Sequence, residues 1–229
     1  MTDPPHSRAW YARLARELGG YRHPWSRVLD GPDPELTFDA LLMEHLRPDT
    51  RVLEAGCGHG PDAARFGSEC MRWAAYDWVP EMLRLARENA PAAEFHLWNG
   101  KGEVPTDLRG PFDLIVSRQG PTSVIDLLSR VAAPNARLLY MWPIHLVPRP
   151  APERLAAVGW EVLSEWKVSV QAWQPTFADW QARCEFMGFD THMDEAAQRL
   201  AWNTHARARG MRYEERRYVV LAGASTSSP

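Results

Sequence analysis

Three glycines at alternate positions, Gly56, Gly58 and Gly60, lie in the segment VLEAGCGHGPDAARF, between a short apolar run and an amphipathic one. Glycine at such positions permits a tight turn and lets a ligand approach the backbone closely. A phosphate loop of the GxxxxGK[ST] type also requires a lysine and a hydroxyl residue, whereas the residues after Gly60 are PDAARF. The segment therefore predicts a ligand-binding turn that is not a nucleoside-triphosphate loop.

The spacing also departs from the dinucleotide motif GxGxxG, because Pro61 occupies the position of its third glycine. Pro61 suits the first turn of a helix. Glu54 precedes Gly56 by two residues, and a carboxylate there would repel a pyrophosphate but accept hydrogen bonds from an ammonium group. The turn therefore favours a ligand with a positively charged amino end. A nicotinamide-dependent oxidoreductase is the alternative interpretation of the glycines.

Polar and aromatic residues come directly after the next two predicted strands. Asp77 ends RWAAYD, and strand-end acids in this kind of sheet bind ribose hydroxyls. Trp78 is the next residue and offers a flat face to a purine. Asn99 and Gly100 come after EFHLW, and an amide can both donate to and accept from an adenine edge. An amino-acid end, a ribose and an adenine are the parts of S-adenosylmethionine, which the sequence predicts as the ligand.

Four segments in order resemble the class I S-adenosylmethionine-dependent methyltransferases, and the resemblance covers roughly residues 36–142. VLEAGCGHG resembles the motif that wraps the methionine part of the cofactor, and YDWVPEMLRLARENAP resembles the ribose and adenine segment. EFHLWNGKGEVP resembles the third segment, although Asn99–Gly100 replaces the Asp-Ala that is frequent there. FDLIVSRQGP resembles the strand whose end lies beside the transferred methyl group. The predicted cofactor-binding residues are Glu54, Gly56, Cys57, Gly58, His59, Gly60, Asp77, Trp78, Met82, Asn99, Gly100, Ser117 and Arg118.

The resemblance implies no fixed catalytic set, because the sulfonium already activates the methyl group and the protein mainly aligns the reactants. Two residues are catalytic candidates. Arg118 could pair with a carboxylate of the cofactor or the acceptor, or be a surface arginine. His145 could act as a general base, or be a bystander in a loop. The patch 21–25, YRHPW, either closes over the cofactor, as N-terminal segments of related enzymes do, or packs on the sheet edge.

The residues after the fourth strand disfavour several classes of methyl acceptor. Enzymes that methylate base amines or glutamine amides commonly carry Asn/Asp-Pro-Pro and an aromatic residue there, whereas this chain has SRQGP. The cysteines Cys57, Cys70 and Cys184 are not placed for cytosine C5 methylation, and His and Cys show no metal-ligand clustering. The leading hypothesis is a small-molecule methyltransferase with no metal. The alternatives are an RNA or protein methyltransferase and a non-catalytic protein that binds S-adenosylmethionine or S-adenosylhomocysteine.

Composition sets the remaining bounds. The chain has 229 residues, a net charge of −3 and 45% hydrophobic residues, which fits a globular domain and disfavours nucleic acid as a partner. It has no secretory signal pattern and no apolar run near the ~18 residues that a membrane span requires. Its scattered cysteines fit a reducing compartment. We therefore expect a cytoplasmic protein.

From residue 51 onward, short apolar runs alternate with helical patterns, which predicts an α/β fold with a mostly parallel sheet covered by helices on both faces. The resemblance implies a Rossmann-like methyltransferase fold with seven strands, the last one antiparallel. We expect one domain over 1–229. It would consist of an N-terminal helical cap (1–48), a cofactor-binding core (49–142) and C-terminal strands (143–222) with a helical insertion at about 177–209. Helices are also predicted over 8–18, 38–46 with Thr37 as the cap, and 122–131.

Overall fold

A computed structural model describes residues 3–143, 151–187 and 193–225. The strands are β1 (Val28–Leu29), β2 (Arg51–Ala55), β3 (Arg72–Asp77), β4 (Glu94–Leu97), β5 (Phe112–Arg118), β6 (Ala132–Pro143), β7 (Trp160–Gln174) and β8 (Met211–Ala224). The helices are α1 (Arg8–Leu18), α2 (Glu35–His45), α3 (Pro61–Phe66), α4 (Pro80–Asn89), α5 (Leu128–Val131), α6 (Ala151–Ala157), α7 (Phe177–Met187) and α8 (Glu195–His205). Short 3-10 segments lie at Gly67–Glu69, Thr106–Leu108 and Thr122–Leu127.

All the described strands form one sheet in the order β1-β7-β8-β6-β5-β2-β3-β4. Strands β2 to β6 are parallel, and β8 is antiparallel to both of its neighbours, β6 and β7. The predicted Rossmann-like α/β fold is therefore confirmed. The two-residue strand β1 adds an eighth strand at the edge, where it pairs antiparallel with β7.

The central parallel strands β2, β3 and β5 are buried on both faces, as a parallel sheet requires. One face packs Leu53, Ile115 and Leu138 against Tyr218 and the residues around α5 and α6. The other face packs Val52 and Val116 against α2, whose Phe38 and Leu42 are fully buried. Residues of β2 and β5 therefore alternate between two cores, and their carboxyl ends lie side by side at one edge of the sheet.

Beyond that edge, β7 and β8 continue as a ribbon, and β1 pairs with β7 near its end. Strand β6 ends at Pro143, which is paired with Arg217, whereas β7 and β8 stay paired as far as Gln174 and Met211. The ribbon therefore extends about 20 Å past the end of β6, at roughly 3.3 Å per residue. Helix α7 starts beside the end of β7, and the Phe186 ring near its other end lies 4.7 Å from the Trp10 ring of α1. Helix α7 thus bridges the ribbon and the N-terminal helix above the edge of the sheet.

Local signals explain most element boundaries and the few that differ from prediction. The α1 prediction is confirmed, with the Ser7 side chain accepting from the Trp10 N–H and Gly19 in the left-handed region. Helix α2 starts at Glu35 instead of residue 38, with Pro34 and not Thr37 at its N-cap. Just before it, Asp33 Oδ1 accepts from the Glu35 N–H. The predicted helix over 122–131 begins as a 3-10 segment. Within the described ranges, no helix is long and apolar enough to cross a membrane.

Candidate functional site

The glycine turn joins β2 to α3 and has the left-handed backbone that its sequence requires. Gly56, Gly58 and Gly60 have φ values of 73°, 53° and 76°. A Cβ on Gly56 would lie 2.6 Å from Pro121 Cδ, and one on Gly60 would lie 3.0 Å from the Ala86 side chain. A Cβ on Gly58 would meet no described atom within 4 Å. Gly56 and Gly60 therefore pack the turn against its neighbours, and Gly58 faces the space where a ligand can approach the backbone.

Asp77, at the end of β3, holds the glycine turn in place. Its Oδ2 accepts from the Gly58 N–H and its Oδ1 from the Val79 N–H, both at 2.9 Å. Burial raises the pKa of this carboxyl, and the backbone donors oppose that shift. A carboxylate has about four lone-pair sites, so each oxygen can still accept from a ribose hydroxyl. The adjacent Trp78 has 42% of its surface exposed and offers its indole face beside the turn.

Asn99 and Gly100 lie just after β4, next to β3. Asn99 Oδ1 accepts from the Lys101 N–H at 3.0 Å, and within the described part of the chain its Nδ2 group has no partner. Gly100 is buried with φ of 71°, and a Cβ there would lie 3.0 Å from Ser123 Oγ. The pair thus forms a tight turn with an exposed amide donor, and its contact with an adenine stays a prediction.

Two buried carboxyls lie beside the glycine turn. Glu54 Oε2 accepts from the Trp73 indole N–H at 2.9 Å, and Asp62 Oδ2 accepts from Arg118 Nε at 2.8 Å. Asp62 is only 1% exposed, and its Oδ1 has no hydrogen-bond partner among the residues described. Burial raises the pKa of both groups, and the Asp62 charge raises that of Glu54 further. A buried carboxyl oxygen without a partner suits an ammonium group, so the acids present fit the amino-acid end of the predicted cofactor.

Arg118 has a different role from the predicted one. Its guanidinium pairs with Asp62 and Asp39, lies 3.6 Å from Glu35 Oε2 and covers the Phe38 ring at 4.3 Å. The side chain is 12% exposed. The chain's own carboxylates therefore fill its hydrogen-bonding fork, which corrects the expectation that it binds a carboxylate of the cofactor or the acceptor. Arg118 instead fixes α2 and α3 against the end of β5.

Three more predicted side chains have structural contacts instead of an open surface. Ser117 is fully buried, and its Oγ donates to the Ala55 carbonyl at 3.2 Å, which links β5 to β2. The Cys57 thiol packs into the core beneath the turn, where burial raises its pKa. Met82 is buried with Trp10 under α1. All three side chains thus contact the protein's own core, and their assignment to the cofactor site stays a prediction.

His59 connects the glycine turn to an N-terminal segment, residues 20–27, which we call the belt. Its Nδ1 accepts from the Tyr21 N–H at 3.3 Å, and its carbonyl accepts from the Asn89 amide at 2.9 Å. A Cβ on Gly20 would overlap the His59 ring at 2.5 Å, so the belt presses directly on it. Burial lowers the pKa of His59, and the Arg22 charge lowers it further. His59, one of the predicted cofactor-binding residues, is therefore held between the turn and the belt. The candidate base His145 lies outside the described residues.

The belt carries aromatic rings over the carboxyl ends of the strands. The rings of Tyr21, His23 and Trp25 each contact Phe186 of α7, with centroids 5.8, 5.6 and 5.1 Å away. Burial raises the pKa of Tyr21 to about 12. Burial and the nearby Arg27 lower the pKa of His23 to about 4, although part of its surface stays exposed. The patch therefore lies between the glycine turn and α7, and its closure over a ligand stays a prediction.

Facing the belt is a hydrogen-bonded cluster that sequence reasoning missed. Arg217 of β8 is buried and donates through Nε and Nη2 to Glu35 Oε1, at 3.2 and 2.9 Å, and through Nη1 to Glu215. Gln119, just after β5, donates through Nε2 to the same Glu35 oxygen at 3.0 Å. Gln119 has φ of 56°, a conformation that a non-glycine side chain rarely adopts and that is concentrated at functional sites. Among the described residues, no group of three or more His, Cys, Asp or Glu could hold a metal ion.

Comparisons with known proteins agree with this geometry. A family model described as a methyltransferase domain matches residues 52–139, the region that holds the glycine turn, Asp77, Trp78 and Asn99. The solved structure of a functionally unknown protein from Deinococcus radiodurans R1 is 60% identical and matches with a TM-score of 0.83, over 94% of this chain and 99% of that one.

Two further relatives have described activities. A methyltransferase from Thiobacillus denitrificans, dependent on S-adenosylmethionine and solved in complex with S-adenosylhomocysteine, matches with a TM-score of 0.54 and 15% identity, over 96% of this chain and 100% of that chain. The release factor glutamine methyltransferase of Streptococcus pneumoniae is 30% identical over 92 residues, which are 39% of this chain and 33% of that protein. The chain thus spans about a third of that curated relative.

Proposed function

The chain belongs to the class I S-adenosylmethionine-dependent methyltransferases, and from that premise we propose that it transfers a methyl group to a small-molecule acceptor by in-line displacement. The observation that carries the proposal is the bond between the Gly58 N–H and Asp77 Oδ2, which joins the open side of the glycine turn to the acid at the next strand end. Trp78 and Asn99 complete an arrangement suited to an adenosyl group.

Each part of the cofactor has residues that would hold it. Asp77 would accept from the ribose hydroxyls, Trp78 and Asn99 would contact the adenine, and Glu54 with Asp62 would meet the amino-acid end. When bound, S-adenosylmethionine supplies a methyl group that its sulfonium already activates, and its product is S-adenosylhomocysteine. The chain's own contribution is positioning, which in favourable cases is worth about 7–11 kcal/mol of the barrier.

The acceptor side favours a small molecule. Rings of the belt pack against α7 beside the glycine turn. The net charge is −3, which disfavours a nucleic-acid substrate. The glutamine substrate of the Streptococcus pneumoniae enzyme is disfavoured, because residues 117–121 read SRQGP where enzymes of that kind commonly have Asn/Asp-Pro-Pro. We further infer that residues 1–229 form one methyltransferase domain with a cap (1–48), a core (49–142) and C-terminal strands (143–222).

Calorimetric titration with S-adenosylmethionine, S-adenosylhomocysteine and NAD tests the cofactor assignment. Both adenosyl ligands should bind and NAD should not; tight NAD binding without the others would show that the assignment is wrong. Asp77→Ala should weaken both ligands at least tenfold, because hydrogen bonds to a charged group contribute about 1.5–3 kcal/mol. Asp107→Ala, in a surface 3-10 segment, is the matched control.

A screen of methyl acceptors with labelled cofactor tests the transfer itself. Incorporation of the labelled methyl group into small molecules would support the proposal. Incorporation into RNA or protein alone would show that the acceptor is a macromolecule and not a small molecule. Binding of S-adenosylhomocysteine with no incorporation into any acceptor would indicate a non-catalytic binding protein.

A further inference from the structure

The ring of His59 lies between the glycine turn and the belt and contacts both. Its Nδ1 accepts from the Tyr21 N–H at 3.3 Å, and the carbonyl of the same residue accepts from the Asn89 amide of α4 at 2.9 Å. A Cβ on Gly20 would lie 2.5 Å from the ring carbon Cγ, so the belt backbone packs directly on the imidazole. His59 thus joins the turn that is assigned to the cofactor to a segment that lies 38 residues earlier in the chain.

The bond to Tyr21 defines the protonation state of the ring. A neutral imidazole has one N–H and one acceptor nitrogen, so a ring that accepts at Nδ1 carries its proton on Nε2. A second proton would bind at Nδ1, the atom that accepts from Tyr21. The resulting imidazolium has two donors and no acceptor, and its Nδ1–H would point at the Tyr21 N–H. The contact between the turn and the belt therefore requires the neutral ring.

The groups around the ring favour its neutral form. Burial lowers the pKa of His59 below its usual 6.5, and the charge of Arg22 on the belt lowers it further. The side chain of α4 at this contact, Asn89, carries no charge. Two other belt residues keep the same charge between pH 5.5 and 8, because the pKa of Tyr21 is about 12 and that of His23 is about 4. His59 is therefore the belt contact that titrates in this range.

We propose that His59 is a positioning residue, whose neutral ring fastens the belt to the cofactor turn and whose protonation releases the belt. It acts through the belt and not on a reacting atom. The other end of the belt stays attached, since the Ser26 N–H donates to Asp179 Oδ1 at 2.7 Å, a carboxyl whose pKa is lowered. The release is thus confined to the end at the turn. This assignment rests on the proposed function, because the turn is assigned to the cofactor.

The geometry gives the pH dependence a direction. Gly20 and Arg22 of the belt bury the ring and place a positive charge near it, so the pKa of His59 is lower with the belt attached than with it released. A base whose pKa is lowered in one state stabilises that state above the unperturbed pKa, and the stabilisation is lost as the pH falls. The belt should therefore be attached at pH 8 and be released progressively below about pH 6.5.

Amide hydrogen exchange of the full chain, measured by NMR without ligand, tests the attachment. The protection factor of the Tyr21 N–H corrects for the pH dependence of intrinsic exchange, and it should fall about threefold to tenfold between pH 8 and 5.5, the contribution of one hydrogen bond. The Cys57 N–H, bonded to the Tyr76 carbonyl at 3.1 Å in the same turn, is the internal control and should keep its protection. Constant protection at Tyr21, or an equal fall at Cys57, would overturn the proposal.

Two variants separate the acceptor from the charge. His59→Asn keeps an acceptor oxygen near the position of Nδ1 that does not titrate, and His59→Leu keeps a similar size without an acceptor. Protection at Tyr21 should stay high at both pH values in His59→Asn and low at both in His59→Leu. Asp77, whose pKa burial raises, is present in all three proteins and produces no difference between them. The wild-type pH dependence in His59→Asn would refute the role of His59, and this comparison decides the question without His59→Leu.

Calorimetry with S-adenosylhomocysteine tests the link to the cofactor turn. An attached belt limits the movement of the turn, so belt attachment and ligand binding should favour each other. The ligand should raise the protection of the Tyr21 N–H, and lowering the pH from 8 to 5.5 should weaken it at least about threefold more in the wild type than in His59→Asn. Equal weakening in the two proteins would contradict the positioning role.

The two proposals fail separately. A protein that binds no S-adenosylhomocysteine at either pH contradicts the proposed function. The exchange measurements need no ligand, so they still decide whether neutral His59 holds the belt. A protein that binds the ligand but shows constant protection at Tyr21 contradicts the role of His59 and leaves the methyltransferase function intact.

Discussion

Replacing Arg118 by methionine tests whether this arginine is structural or binds a ligand. Methionine keeps most of the length and the contact with the Phe38 ring but removes the guanidinium. Asp62 is 1% exposed and already has one unpaired oxygen, so the substitution would leave it as a buried carboxyl without a counterion. Breaking a buried pair on one side typically lowers the free energy of unfolding by about 3–5 kcal/mol. We expect a loss in that range.

Urea unfolding monitored by tryptophan fluorescence gives the measurement, and Arg51→Met provides the control. Arg51 pairs with Asp113 through two bonds of 2.9 Å, but the two side chains are 34% and 37% exposed, so solvent screening reduces the loss to under about 1 kcal/mol. The affinity of Arg118→Met for S-adenosylhomocysteine should change less than about threefold. A small loss of stability together with tenfold weaker binding of S-adenosylhomocysteine would refute the structural role of Arg118.

The loss in Arg118→Met should also depend on pH. The arginine now lowers the pKa of Asp62 against the effect of burial, so without it the folded-state pKa rises further above the usual 3.8. A raised carboxyl pKa penalises folding above the unfolded-state pKa and not below it. The loss should therefore be largest at neutral pH and shrink as the pH falls towards 4.

Three further predictions concern other residues of the site. Gly58→Ala and Gly102→Ala each place a Cβ at a positive φ, 53° and 75°, with no described atom within 4 Å, so each should lower the free energy of unfolding in urea by about 1–2 kcal/mol. Only Gly58→Ala should weaken the binding of S-adenosylhomocysteine in calorimetry, by at least tenfold. Equal ligand affinity in the two variants would contradict the assignment of the glycine turn to the cofactor. Burial and the Asp62 charge raise the pKa of Glu54, so its ionisation destabilises the wild-type fold as the pH rises above about 4.5. The free energy of unfolding of Glu54→Gln should therefore increase relative to that of the wild type between pH 5 and 8. A difference in stability that does not change with pH would contradict this. Ser117→Ala should lower the free energy of unfolding by about 1 kcal/mol in the same urea assay and leave the affinity for S-adenosylhomocysteine unchanged. Weaker binding of that ligand would instead support the predicted contact between Ser117 and the cofactor.

Sequence predicted the parts of the site that are encoded locally. The glycine turn, the acid at the end of β3 and helix α1 depend on residues within a few positions of one another, and the structure has them where expected. The alternation of strand and helix likewise predicted the parallel sheet, because each βαβ unit is a local pattern. The family resemblance then supplied the expected ligand contacts of these segments.

The remainder depended on contacts between distant residues. Arg118 looked free in the sequence because its partners, Asp62 and Asp39, are 56 and 79 residues away. Glu35 and Arg217 are 182 residues apart, and no local pattern pairs them. One signal was present, since Arg217 shares its strand face with the buried Val219 and an arginine on an apolar face requires a buried carboxylate.

Segments that are far apart in the chain meet at the belt, and their separation constrains the order of folding. The Ser26 N–H donates to Asp179, 153 residues away, and β1 pairs with β7. Closing so long a loop carries a large entropic penalty, and such contacts form late. During synthesis the glycine turn and strands β2 to β6 leave the ribosome before the ribbon, so the belt can contact His59 early but meets its partners in β7 and α7 only later. We therefore expect the cofactor half of the site to fold before these later contacts form.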